Sequence, residues 1–120
     1  MVVSTDELLI RNVVTELYIK GLRIRDFELM RTICIPETVL MSAGRDNTLH
    51  LTTLDKWSER FDPQNPPFTT LESSIVKIDR EGTAAQVEIL FIVDGTRRVT
   101  DFLNLLKLDG SWRIVNIIDF

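Results

Sequence analysis

Cysteine is almost missing from this chain. Cys34 stands alone among 120 residues, so no intramolecular disulfide can form. With His50 as the single histidine, there is no Cys/His cluster to hold zinc or an iron–sulfur centre. Basic charge is scarce too: 14 Lys and Arg against 18 Asp and Glu leave a net charge of -4, and the longest basic run is the pair Arg97-Arg98. Nucleic acid finds little to bind on such a surface. No stretch approaches the ~20 apolar residues of a membrane helix, and the opening MVVSTDELL lacks the basic start and apolar core of a secretion signal. Gly-rich phosphate loops and a G-x-S-x-G elbow are missing as well. The expectation is a cytoplasmic protein with no cofactor, no metal, no nucleic-acid partner and no membrane partner, in which Cys34 is an inert buried thiol.

What is present suits a single domain spanning residues 1–120, long enough to bury a core without staples. From Thr5 to about Arg25, Leu9, Val13, Leu17 and Gly21 recur every four residues, with Ile10, Val14 and Tyr18 beside them. That is one broad helical stripe. Ser4, followed three residues on by Glu7, forms a capping signal. Asp26 can cap a second helix through about Cys34 that buries Phe27, Met30 and Ile33, with Pro36 as its stop. A sharp bend between the two helices is expected. The segments ETVLMSAG and NTLHL read as short strands around Gly44-Arg45-Asp46. TTLDKWSERF reads as a third helix capped by Thr52 or Thr53, with Leu54, Trp57 and Phe61 on one side. Three prolines (Pro63, Pro66, Pro67) make DPQNPPF a loop.

Beyond that loop the period changes to two. Thr69–Asp79, Thr83–Val93, Arg98–Leu108 and Ser111–Asp119 are strand-like, and the Asp and Gly residues between them tolerate the positive φ of tight hairpins. A four-stranded antiparallel meander follows. Its strands are apolar on both faces in places. Alternation groups Phe102, Asn104, Leu106 and Leu108 on one side, and Trp112, Ile114, Asn116 and Ile118 on one side of the last strand. Leu90, Ile92, Leu103 and Leu105 are left for an outer face, too apolar to stand comfortably in water. A homodimer formed sheet to sheet is the expectation.

This order of elements resembles the nuclear transport factor 2-like superfamily. ELYIKGLRIRDFELM is similar to the superfamily's opening, in which an aromatic is followed by a small residue and an Asp that starts the second helix. ICIPETVLMSAG is similar to its entry into the first strand. TDFLNLLKLDGSWRIVNIIDF resembles most the lumazine-binding branch, close to the SnoaL-like polyketide cyclases and ketosteroid isomerases. The resemblance implies an α+β, cystatin-like cone in which N-terminal helices pack on a curved antiparallel sheet around a pocket.

Candidate site residues are weighed beside that implication. In ketosteroid isomerases a tyrosine matching Tyr18 donates a hydrogen bond to the substrate oxygen; the alternative is a core tyrosine satisfied by the backbone. The isomerases also place a carboxylate base on the strand matching Val39–Ala43, and here no residue of that strand is acidic. Their second acid, kept protonated so that it can donate, falls near Asn104. His50 suits a general base if it faces the pocket and is otherwise an edge residue. Asp101 is a third catalytic candidate, although alternation sets it on the face opposite Asn104, where pairing with Arg97 or Arg98 competes. The expected lining is Tyr18, Met41, Trp57, Phe91, Phe102 and Asn104, around a small apolar or aromatic molecule with a polar group. The alternatives are a cofactor-independent isomerase, dehydratase or cyclase, and a module for association alone.

Overall fold

The computed structural model describes residues 4–62 and 64–120; the part of the proline loop at Pro63 lies outside them. Helix α1 (Thr5–Val13) starts at Ser4, whose Oγ accepts the Glu7 N–H at 3.0 Å. Without leaving the right-handed helical region, the backbone continues through a π-helical segment (Val14–Ile19) into α2 (Lys20–Ile24). The π segment alters the stripe that the sequence suggests. Burial follows Ile10, Val14 and Tyr18 in steps of four, then takes Ile19 and Gly21, because a wider turn inserts one residue and rotates those beyond it. Leu9 is left 44% exposed.

The bend is made by Arg25, which caps α2 in the left-handed region at φ 57. The Asp26 N–H reaches the Gly21 carbonyl at 2.9 Å, a Schellman-type stop. Asp26 then caps α3 (Phe27–Arg31), accepting the Leu29 N–H at 3.0 Å. Gly21 allows the two helices to touch: a Cβ there would lie 2.8 Å from Met30 Cβ.

Six strands follow: β1 (Cys34–Ala43), β2 (Leu49–Thr53), β3 (Leu71–Glu81), β4 (Ala84–Val93), β5 (Arg97–Leu108) and β6 (Ser111–Asp119). A short helix α4 (Leu54–Ser58), capped by Thr53, comes after β2. The meander β3 to β6 forms as the alternation predicts, with Gly82, Asp94, Gly95, Asp109 and Gly110 all at positive φ. The sheet order is β2-β1-β6-β5-β4-β3, and β1 joins β6 in parallel. The architecture is thus α+β, N-terminal helices on a curved, mostly antiparallel sheet.

Two local expectations are corrected. α3 ends at Arg31, so Pro36 does not stop it; the proline lies inside β1. It is tolerated there because the ladder to β6 jumps from Cys34↔Ile114 to Val39↔Asn116, which leaves no regular pairing for a missing N–H to break.

The faces of the last two strands are corrected as well. On β4, Val87, Ile89, Phe91 and Val93 form a wholly apolar buried row, whereas the other face carries Gln86 and Glu88. β4 therefore settles which side faces the helices, and residues paired across an antiparallel ladder share a side. Leu103 pairs with Val87 and Asp101 with Ile89, so Asp101, Leu103 and Leu105 point inward. Phe102, Asn104 and Leu106 take the outer face with Leu90 and Ile92. On β6 an irregularity between the pairs Leu105↔Ile114 and Asn104↔Asn116 switches parity. Trp112, Ile114 and Ile117 are buried, and Asn116 and Ile118 are not.

Candidate functional site

Tyr18 sits in the π-helical segment with no exposed surface. Its hydroxyl donates to Asp101 Oδ2 at 2.6 Å. Asp101, 4% exposed, belongs to the inward row of β5, and directly across the ladder on β6 stands a second carboxyl, Asp119. Burial and the charge of Asp119 push the Asp101 carboxyl up to about 7, with the Tyr18 hydrogen bond pulling the other way. Asp119 is also raised by burial, against the pull of Arg97 and Arg60. Burial and the neighbouring Asp101 charge hold the Tyr18 phenol well above its ordinary value, so it remains a donor. Asp101 Oδ1 is buried without a hydrogen-bond partner among the described residues. A buried unpaired oxygen is costly, and here it belongs to a residue that lines a cavity.

That cavity, of about 300 Å³, is bounded by residues of α2, α4, the proline loop and strands β3 to β6. Leu22, Trp57, Phe61, Leu71, Phe91 and Val99 supply apolar wall, and Asp101 and Asp119 supply carboxyls. Trp57 is fixed by edge contacts with Phe27 and Phe61 at ring separations of 6.2 and 5.9 Å. Arg25, Arg60 and Arg97 also line it. Arg25 donates to the Phe68 carbonyl, its guanidinium 4.8 Å above the Phe68 ring centre. A more polar cleft of about 550 Å³ adjoins, lined by Ser42, His50, Thr52, Lys56 and Glu59, and it shares Arg60 and Asp119 with the first.

The structure therefore brings Tyr18, Asp101, Trp57 and Phe91 to one end of the cone. His50 is exposed on the edge strand β2 and lines only the polar cleft. Met41, Phe102 and Asn104 are half-buried on the outer face and do not join Tyr18. Asn104 instead accepts from Gln86 Nε2 at 3.0 Å and donates to Asn116 Oδ1 at 2.7 Å. The carboxyl beside Tyr18 is thus Asp101, three residues from the position that ungapped matching suggests. On β1 the inward side chain is Leu40, and no acid replaces it. Sequence reasoning missed Asp119, Arg25, Arg60 and Arg97. Asp119 is turned inward by the single-residue slip on the last strand, which strict alternation does not anticipate.

A helix-on-sheet cone of this topology is that of the NTF2-like class. Residues 6–118 match the family described as "Putative lumazine-binding", and the chain belongs to that family. Among solved structures it is similar to an NTF2-like protein of unknown function from Shewanella baltica OS155, at 27% identity and TM-score 0.86, covering 100% of this chain and 96% of that one. A domain of unknown function with a cystatin-like fold from Nostoc punctiforme gives 15% identity and TM-score 0.73, covering 98% and 78%. A ketosteroid isomerase-like protein from Erwinia carotovora atroseptica gives 15% identity and TM-score 0.71, covering 98% and 96%. A search of curated proteins finds no match. Among the described residues no helix is long and apolar enough to cross a membrane.

Proposed function

We propose that this chain is a small-molecule-binding domain whose ligand lies in the 300 Å³ cavity and turns a polar group toward the Tyr18–Asp101 pair. The observation that carries this reading is the unpartnered Asp101 Oδ1 at an aromatic-walled cavity. A protonated Asp101 can donate from that oxygen while its Oδ2 accepts from Tyr18. Convergent polar groups in a mostly apolar cavity are the usual make-up of a ligand site. The family's description supports the same reading. Titration with 2-naphthol, followed by calorimetry, tests it: saturable binding that Asp101→Ala weakens about tenfold is expected, as for loss of one hydrogen bond to a charged or polar partner. No binding to the unaltered protein overturns it.

A second reading, a cofactor-independent isomerase, dehydratase or cyclase, is favoured by one observation. Asp101 and Asp119 converge on the cavity, and Asp101 titrates near neutrality, where a carboxyl is best matched to proton transfer. Deuterium wash-in at the α-carbon of 2-tetralone, read by NMR, separates the two. Exchange above buffer that Asp101→Asn abolishes supports the enzyme; exchange at the buffer rate removes it.

Homodimerisation through the outer sheet face belongs to the same proposal, as does the alternative of a module for association alone. Its support is a band of apolar side chains there, with Leu106 38% and Ile118 45% exposed beside half-buried Phe102, Leu90 and Ile92. A reducing cytoplasm suits the lone Cys34, a buried thiol whose pKa burial pushes up to about 11.

A further inference from the structure

We infer that the cavity selects an anion: an apolar or aromatic body bearing a carboxylate, whose charge is met by the guanidinium groups of Arg60 and Arg97. The inference rests on the cavity being a ligand site, as proposed above, and adds the charge of what enters it.

The argument begins from an imbalance. The chain as a whole is acidic, at -4, yet three arginines line one cavity of about 300 Å³. None of the three makes a salt bridge among the described residues; the ion pairs found are Arg31–Asp55, Lys77–Asp79 and Lys107–Asp6, all elsewhere. Arg25 is committed to the Phe68 carbonyl and ring. Arg60 has only a long contact, 3.4 Å, to the Thr52 hydroxyl. Arg97 has no side-chain hydrogen bond among the described residues.

Asp119 feels the pull of Arg97 and Arg60, so the carboxyls that line the same cavity offset this charge in part only. Asp101 and Asp119 stand across one ladder step from each other, inside the cone. Burial raises both, and Asp101, pushed up to about 7, is in part protonated and uncharged near neutrality. What remains is a cavity with three fixed cations and less than two full negative charges. Leu22, Trp57, Phe61 and Phe91 make one side of it apolar. A planar guanidinium binds a carboxylate through two parallel hydrogen bonds. Lys56 extends the same sign into the adjoining cleft, with Glu59 and Asp119 the opposing carboxyls there. An acid tail longer than a single carboxylate has room in that direction.

The test uses two probes of one shape, 2-naphthoate and 2-naphthamide, titrated calorimetrically into the full chain at low and moderate salt. Naphthoate is expected to bind at least tenfold tighter, with the preference shrinking as salt rises. In the Arg60→Gln/Arg97→Gln variant the naphthoate-to-naphthamide ratio is expected to fall about tenfold, on the scale of a charge-assisted hydrogen bond. Both arginines are exposed, so the variant is expected to fold, and the ratio in the unaltered protein is decisive even if it does not. Equal binding of the two probes overturns the inference and leaves the ligand-site reading standing. Binding of neither overturns both.

Discussion

Tyr18 and Asp101, 83 residues apart in sequence, meet at 2.6 Å inside the cone. The hydrogen bond holds the Asp101 carboxyl down against burial and Asp119. Tyr18→Phe should therefore raise the Asp101 pKa further, above about 7. It should also cost about 1–3 kcal/mol of stability, since it leaves a buried oxygen unpaired. Carbon-13 titration of the carboxyl and urea denaturation check the two parts; an Asp101 pKa that falls would contradict the assignment of the bond.

Stability should fall as pH rises from about 4 to 7. Asp101 moves from an ordinary 3.8 to about 7 on folding, and Asp119 moves in the same direction. The folded protein thus holds more protons than the unfolded chain in that window, and the destabilisation is complete above it. At about 1.4 kcal/mol per pH unit, Asp101 alone accounts for a few kcal/mol. Asp6, Asp46 and Asp94 are shifted down and act in the opposite sense, losing their contribution only as pH drops through the acid range. Denaturation midpoints at pH 4.5, 6 and 8 should decline, and Asp101→Asn should flatten the decline. A variant with an unchanged slope would show that Asp101 does not titrate there.

On the outer face, Asn104 bridges Gln86 and Asn116 at the surface. Asn104→Leu should change stability by less than about 1 kcal/mol, as expected for a half-exposed polar pair, and leave cavity binding untouched. Phe102→Lys tests the proposed dimer. Light scattering should show the mass halve at micromolar concentration, and a monomer already in the unaltered protein would end that proposal.

Trp112 fastens the last hairpin to the first helix. Its ring is 4% exposed, and its Nε1 donates to Asp6 Oδ1 at 3.1 Å, beside the Lys107 ion pair. Trp112→Ala should cost roughly 3–5 kcal/mol by loss of core volume, read from the urea midpoint.

Gly21→Ala places a methyl 2.8 Å from Met30 Cβ and 3.1 Å from the Asp26 carbonyl. Overpacking of this kind costs about 1–3 kcal/mol, although alanine is the better helix former. A stabilised variant would mean that the helix pair is free to separate.

The helix caps, the bend and the three meander hairpins were legible because each is written locally: Ser4 before Glu7, Asp26 before Phe27, and Glu-Gly or Asp-Gly between apolar runs. The candidate site was legible only in part. Tyr18, Trp57 and Phe91 lie on elements whose inward side the sequence makes plain. Asp101 and Asn104 lie on a strand apolar on both faces, where alternation alone cannot say which row meets the helices. The answer came from β4, whose polar Gln86 and Glu88 leave one choice and whose ladder passes it to β5. The irregularity between Ile114 and Asn116 has no mark in the residues themselves, so Asp119 stayed hidden. Arg60 and Arg97 come together across long sequence distance, which no local pattern records.

The parallel pairing of β1 with β6 carries a kinetic consequence. Residues 34–53 make a hairpin that borders the rest of the sheet only through Ser111–Asp119. During synthesis the early hairpin and the helices above it must wait until about sixty further residues have left the ribosome before that edge is covered. Closing so long a loop is slow compared with forming the local hairpins β3–β4 and β4–β5. The local β5–β6 hairpin lays Asp119 beside Asp101, and the late closure of β1 on β6 then brings Leu40, Ser42 and His50 to the cleft that Asp119 shares.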